Sequence, residues 1–138
     1  HENEAKIYRE SPEKCREILE AFDGKIKAVF DMGNFVLDGY DPEKAYETLK
    51  PYIGYFHIKD ALYAGAIVPA GKGKAKIKEI LEKYENSDGK TTFMTLEPHL
   101  QTFSGLNALV GKAFDNPYKY ENQKAAFTDA VEKLRSIL

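Results

Sequence analysis

Four times along the chain a segment ends on a side chain that can bind a metal ion: the opening His1-Glu2-Asn3-Glu4 at Glu2, Ala28-Val29-Phe30-Asp31 at Asp31, Tyr55-Phe56-His57 at His57, and Met94-Thr95-Leu96-Glu97 at Glu97. Carboxylates and an imidazole at the carboxyl ends of successive parallel strands are how a (β/α) barrel or an open α/β sheet assembles a site. The pattern therefore predicts a parallel α/β fold with Glu2, Asp31, His57 and Glu97 at one rim.

Helix signals separate these segments. Ser11-Pro12-Glu13 supplies a capping hydroxyl, a proline suited to the first helical position and an acid at the positive helix end, so a helix is predicted from there to about Phe22. Asp23-Gly24 breaks it, and Lys25 to Asp31 reads as a short strand. Asp41-Pro42-Glu43 repeats the start signal for a helix with Ala45, Leu49, Tyr52 and Ile53 on one side, and Gly54 to Asp60 is the next strand. A long connection, Ala61 to Lys76, leads to a helix carrying Ile77, Ile80, Leu81 and Tyr84, ended by the turn signal Asn86-Ser87-Asp88-Gly89. Thr91 to Glu97 reads as a strand, Ser104 to Tyr120 as a loop holding a short helix, and Asn122 to Leu138 as a last helix. Strands alternating with helices imply parallel pairing through right-handed crossovers, with both sheet faces covered.

Composition narrows the partners. The 138 residues, 43% hydrophobic, suffice for one domain core, and no linker or boundary interrupts them. Twenty Lys and Arg against 22 Asp and Glu give a net charge of -2, which disfavours a nucleic-acid partner. No run approaches the ~20 apolar residues of a membrane span, and the single cysteine, Cys15, shares a helical face with Ile18, Leu19 and Phe22 as a core thiol would. A cytoplasmic protein with no membrane partner is the expectation.

Taken singly, each candidate residue has a plainer reading. Glu2 is an acid at a terminus, Asp31 before Met32-Gly33-Asn34 could cap a turn or helix, His57 could be a hydrogen-bonded core histidine, and Glu97 before Pro98 could end a strand. Their recurrence in order favours a shared site. Three carboxylates and an imidazole form a hard donor set suited to Mn²⁺ above all, with Mg²⁺, Co²⁺ or Zn²⁺ possible. Such a cation acidifies a C–H beside a chelated carbonyl by stabilising an enediolate, and two flanking carboxylates can move the proton. Lys59 shares the strand face of His57, whereas Asp60 points the other way or begins the loop. Lys59 could touch substrate and Asp60 could order the ligands' outer partners. Gly71-Lys72-Gly73-Lys74 offers amides and charge to a phosphate, without Walker spacing.

His1-Glu2-Asn3, Phe30-Asp31-Met32-Gly33-Asn34, Phe56-His57-Ile58-Lys59-Asp60, Val68-Pro69-Ala70-Gly71-Lys72-Gly73 and Leu96-Glu97-Pro98-His99 resemble, in order and spacing, the second half of the xylose isomerase-like TIM barrels. The resemblance implies that residues 1–138 are a single domain, strands five to eight of a (β/α)8 barrel. It implies that Glu2, Asp31, His57 and Glu97 are the complete metal set, Glu2 and Glu97 doubling as the acid/base pair. Asn34, Lys59 and His99 would then meet the substrate, with Asp60 behind them. Asn34 stands where many relatives carry a second histidine, which removes a ligand wanted by the multi-zinc endonuclease branch.

The implied activity is metal-dependent isomerisation or epimerisation of a sugar or sugar phosphate. The alternatives are an AP-endonuclease-like phosphodiesterase and a non-catalytic half-barrel. Only His1 precedes Glu2, so the chain is expected to be the C-terminal half of a longer enzyme. Half a barrel leaves unpaired edges, and so a missing N-terminal half-barrel or another copy of the chain is expected as a partner, beside a small carbohydrate substrate.

Overall fold

The computed structural model of the chain describes residues 1–3, 11–88, 93–100 and 117–138. Helix α1 (Pro12–Ala21) starts where Ser11 accepts a hydrogen bond from the Lys14 amide at 3.2 Å. Strand β1 (Ala28–Asp31) passes directly into helix α2 (Met32–Leu37), and α3 (Pro42–Leu49) is capped by Asp41, which accepts from the Glu43 amide at 2.9 Å. A 3-10 turn (Lys50–Tyr52) feeds strand β2 (Ile53–Ile58). The short strands β3 (Asp60–Ala61) and β4 (Ile67–Val68) pair antiparallel, and α4 (Ile77–Asp88), β5 (Phe93–Leu96) and α5 (Gln123–Ile137) complete the order.

Strands β1, β2 and β5 form one parallel sheet in that order, as the helix and strand alternation predicts. Residue Glu2 makes a parallel bridge to Val29 on the far side of β1, where the Val29 amide donates to the His1 carbonyl at 2.7 Å. The register aligns Phe30, Phe56 and Met94 in one row and Asp31, His57 and Thr95 in the next. Because side chains alternate across a strand, Phe30, Phe56 and Ile58 face the helices while Asp31, His57 and Glu97 share the other face.

The helix-side face is the core. Phe30 packs on Phe35 of α2, Tyr46 of α3 and Phe56 of β2, with ring centroids 5.2, 6.2 and 5.9 Å away, and Phe56 meets Tyr84 of α4 at 5.0 Å. Each such fully buried ring contributes about 1.5–3 kcal/mol through burial. Cys15 and Leu19 of α1 join the same core, so the thiol packs as a small hydrophobe. The opposite face is different: Tyr55 and His57 are half-buried and Phe93 is 82% exposed. Among the described residues, therefore, the expected cover on both faces is present on one only.

Several boundaries differ from the sequence-based expectation. Residues 25–27 lie outside β1, whose pairing with β2 shifts register between Ala28 and Val29. The Met32-Gly33-Asn34 segment, for which capping of a turn or helix by Asp31 is the plainer reading, opens a buried helix, because Asp31 accepts the Asn34 amide at 2.9 Å and caps it. Helix α4 runs through Asn86 and Ser87 to Asp88 rather than turning there. The connection from Ala61 to Lys76 holds the β3–β4 ribbon. Most of the loop expected from Ser104 to Tyr120 lies outside the described residues. Among the described residues no helix is long and apolar enough to cross a membrane.

Candidate metal centre

The carboxyl ends of β1, β2 and β5, with the bridged segment at Glu2, bring four distant residues to one rim. Glu2, Asp31, His57 and Glu97 each offer one ligand atom, and these atoms all lie within 4.8 Å of one another. His57 Nδ1 stands 2.9 Å from Glu2 Oε1 and 3.6 Å from Glu97 Oε2. The Glu97 amide donates to the Ile58 carbonyl at 3.0 Å, which extends the β2–β5 ladder one rung past the strand and aims Glu97 inward.

Lys59 occupies the middle of the cluster. Its Nζ lies 2.9 Å from Asp31 Oδ2 and 2.8 Å from Glu97 Oε2, and it donates to Asn34 Oδ1 at 3.1 Å. Burial alone would lower the Lys59 pKa, yet the two carboxylates outweigh it and hold the ammonium above its usual range. For Asp31 the balance tips the other way. Burial pushes its carboxyl up to about 6 against the pull of Lys59 and the Asn34 amide. The two shifts are compatible: Lys59 has two anions beside it, whereas Asp31 is wholly buried with one cation. Burial also works to raise Glu97, but Lys59, His99 and His57 hold it below the usual carboxylate range.

Asn3 is a part of this centre that sequence reasoning missed. Its side chain pairs with the Asp31 backbone twice, donating from Nδ2 to the carbonyl at 2.8 Å and accepting the amide at Oδ1 at 2.9 Å. Asn34 Nδ2 in turn donates to the Asn3 carbonyl at 2.9 Å. A side-chain amide thus does the work of a strand rung and fixes Glu2 beside Asp31. The only signal available in sequence was its place next to a candidate ligand.

The remaining predicted residues fall in different positions. Asn34 is buried against Lys59 and Asn3, as part of the frame rather than open to a ligand. His99, with a positive φ of 40°, places Nε2 3.7 Å from Glu97 Oε1. Asp60 turns away: its carboxylate accepts the amides of Ala61, Gly71 and Gly73 at 2.9 Å and of Ala75 at 3.0 Å. It orders the following loop instead of the ligands, and it takes the Gly71 and Gly73 amides that a phosphate would need. A Cβ at Gly73 would stand 2.1 Å from Asp60 Oδ1, so glycine is required there. One surface cleft, lined by Glu43, Glu79, Glu82, Lys83, Asn86 and Ser87, lies on helices α3 and α4 and includes none of the four ligands.

The donor set fits a divalent cation. Asp31 Oδ2 and Glu97 Oε2 are buried, with the Lys59 ammonium at ion-pair distance from both. Carboxylate oxygens that converge with an imidazole nitrogen in this way are what Mn²⁺ or Mg²⁺ would take.

No protein-family model and no curated protein sequence matches the chain. Its fold is similar to the crystal structure of the probable 3-DHS dehydratase AsbF, involved in petrobactin synthesis, from Bacillus anthracis. The TM-score is 0.56 with 23% identity, over 70% of this chain and 41% of AsbF. The chain spans less than half the length of that protein, and the likeness is one of fold: a parallel α/β sheet with helices, consistent with part of a TIM barrel.

Proposed function

We propose that this chain carries the metal-binding rim of a sugar isomerase or epimerase that moves a proton beside a substrate carbonyl. The observation that carries the reading is the convergence of Glu2, Asp31, His57 and Glu97, from four separate segments, at the carboxyl ends of adjacent parallel strands. Glu2, Asp31, His57 through Nδ1, and Glu97 would hold the ion. Bound there, a divalent cation would polarise a carbonyl and acidify the neighbouring C–H.

The chain's own residues supply the rest. Glu2 and Glu97 both approach Nδ1 of His57, at 2.9 and 3.6 Å, and are the acid/base pair of the proposal. Glu97 is tied to Lys59 and held ionised, whereas Glu2 is hydrogen-bonded to His57, so the proton-accepting role in the pair is assigned to Glu2. Asp60 occupies the glycine-loop amides, which supports an unphosphorylated sugar over a sugar phosphate at that loop. Dehydration of a polyol ketone begins with the same proton abstraction, and the fold likeness to a probable dehydratase makes it the second reading.

The inner face around Phe93 and the outer edge of β5, which pairs with no described strand, call for cover. A complementary set of βα units is proposed as that cover. It is preferred to a second copy because the similar fold continues in AsbF well beyond the matched 41%. The test is Mn²⁺ titration of the chain by calorimetry, followed by a ketose panel assayed with the cover supplied. Glu97→Gln should weaken Mn²⁺ uptake and abolish turnover. Uptake unchanged in both Glu97→Gln and Asp31→Asn would overturn the reading.

A further inference from the structure

Lys59 is fitted into the cluster as firmly as the four ligands. It is 5% exposed, and its Nζ touches Asp31, Glu97 and Asn34. Its stem crosses α2 at Gly33, where an added Cβ would stand 2.7 Å from Lys59 Cγ and 2.8 Å from its Cβ and carbonyl oxygen. Gly33 keeps the groove open for the stem, Asn34 receives the head group, and Asp31 caps the helix that carries both. Burying an ammonium this completely is costly unless its charge is used.

The charge count shows a use. Glu2, Asp31 and Glu97 carry -3 when ionised, His57 is neutral as a metal ligand, and Lys59 adds +1, so the set stands at -2. We propose that Lys59 is the fixed counter-charge that matches the centre to divalent ions, leaving the loaded site neutral and discriminating against trivalent ones. This rests on the reading that the four residues hold a cation. A trivalent ion in the same ligands would leave an excess positive charge close to a buried ammonium.

The experiment measures the affinities of Mn²⁺ and Tb³⁺ for the chain by calorimetry and terbium luminescence, in wild type, Lys59→Met and Lys59→Arg. Lys59→Met should shift the Tb³⁺ to Mn²⁺ affinity ratio toward Tb³⁺ by at least about tenfold, since an adjacent unit charge is worth more than that at an effective dielectric of about 20. Lys59→Arg should leave the ratio near wild type. A ratio that moves less than about threefold in Lys59→Met overturns the assignment, as does joint loss of both ions with an unchanged melting curve, which would make Lys59 only a scaffold for the carboxylates. Should Lys59→Met not fold, the ratio is read in Lys59→Gln; failure of both to fold in Mn²⁺ would assign Lys59 to folding and equally overturn it. If wild type binds neither ion, the metal-centre reading itself fails, an outcome distinct from an unmoved ratio.

Discussion

Replacing Asp31 with Asn should make the cation-free chain more stable at neutral pH while removing a ligand. Asp31 is wholly buried, and its carboxyl is pushed from 3.8 to about 6, chiefly by loss of solvent. The folded state therefore binds this proton more tightly than the unfolded chain does. The sign follows: the contribution is most favourable below about pH 4, is lost as pH rises through about 6, and leaves the ionised protein short by about 3 kcal/mol above that. An amide keeps the oxygen that caps α2 and sheds the buried charge. In urea titrations with EDTA at pH 7.5, Asp31→Asn should gain about 3 kcal/mol over wild type, and the gain should vanish near pH 4. With Mn²⁺ at a hundred times its dissociation constant, wild type should recover about 2.7 kcal/mol and the variant little. A variant less stable than wild type in EDTA at pH 7.5 would refute the reasoning, because the carboxylate would then be stabilising the fold as well as awaiting a cation.

Gly33→Ala should cost about 1–3 kcal/mol in chemical denaturation, since the new methyl collides with the Lys59 stem and its carbonyl, and Mn²⁺ affinity should fall with it. Asp60→Ala strips one acceptor from four backbone amides; a loss of at least about 3 kcal/mol and faster hydrogen exchange at Gly71, Gly73 and Ala75 are expected by NMR. Phe56→Ala, which empties the centre of the aromatic cluster, should cost about 3–5 kcal/mol, read from the urea midpoint. Asn3→Ala should weaken Mn²⁺ binding more than Asn3→Asp, which keeps one of the two bonds to the Asp31 backbone.

What was legible in sequence depended on how local its cause is. Ser11-Pro12-Glu13 and Asp41-Pro42-Glu43 carry their helix starts in their own side chains, and both helices begin at the proline. Period-two alternation placed Lys59 on the face of His57 and Asp60 off it, and the structure has them so. The helix α2 escaped notice because six residues are too few to display a periodic stripe, and every residue from Met32 to Val36 is buried by tertiary packing. Strand limits erred where pairing partners decide them: Lys25 to Lys27 have strand-like composition, but the β1–β2 register slips just after them. The role of Asn3 is a contact across 28 residues, and nothing short of the folded sheet reveals it.

The bridge between Glu2 and Val29 and the pairing of His57 with Thr95 mean that the four ligands meet only after segments almost a hundred positions apart have found one another. Closing such long loops is the slow part of building a sheet of this kind. Ion capture should consequently lag behind helix formation in a refolding experiment, so that a terbium signal would serve as a clock for the last tertiary event rather than for collapse.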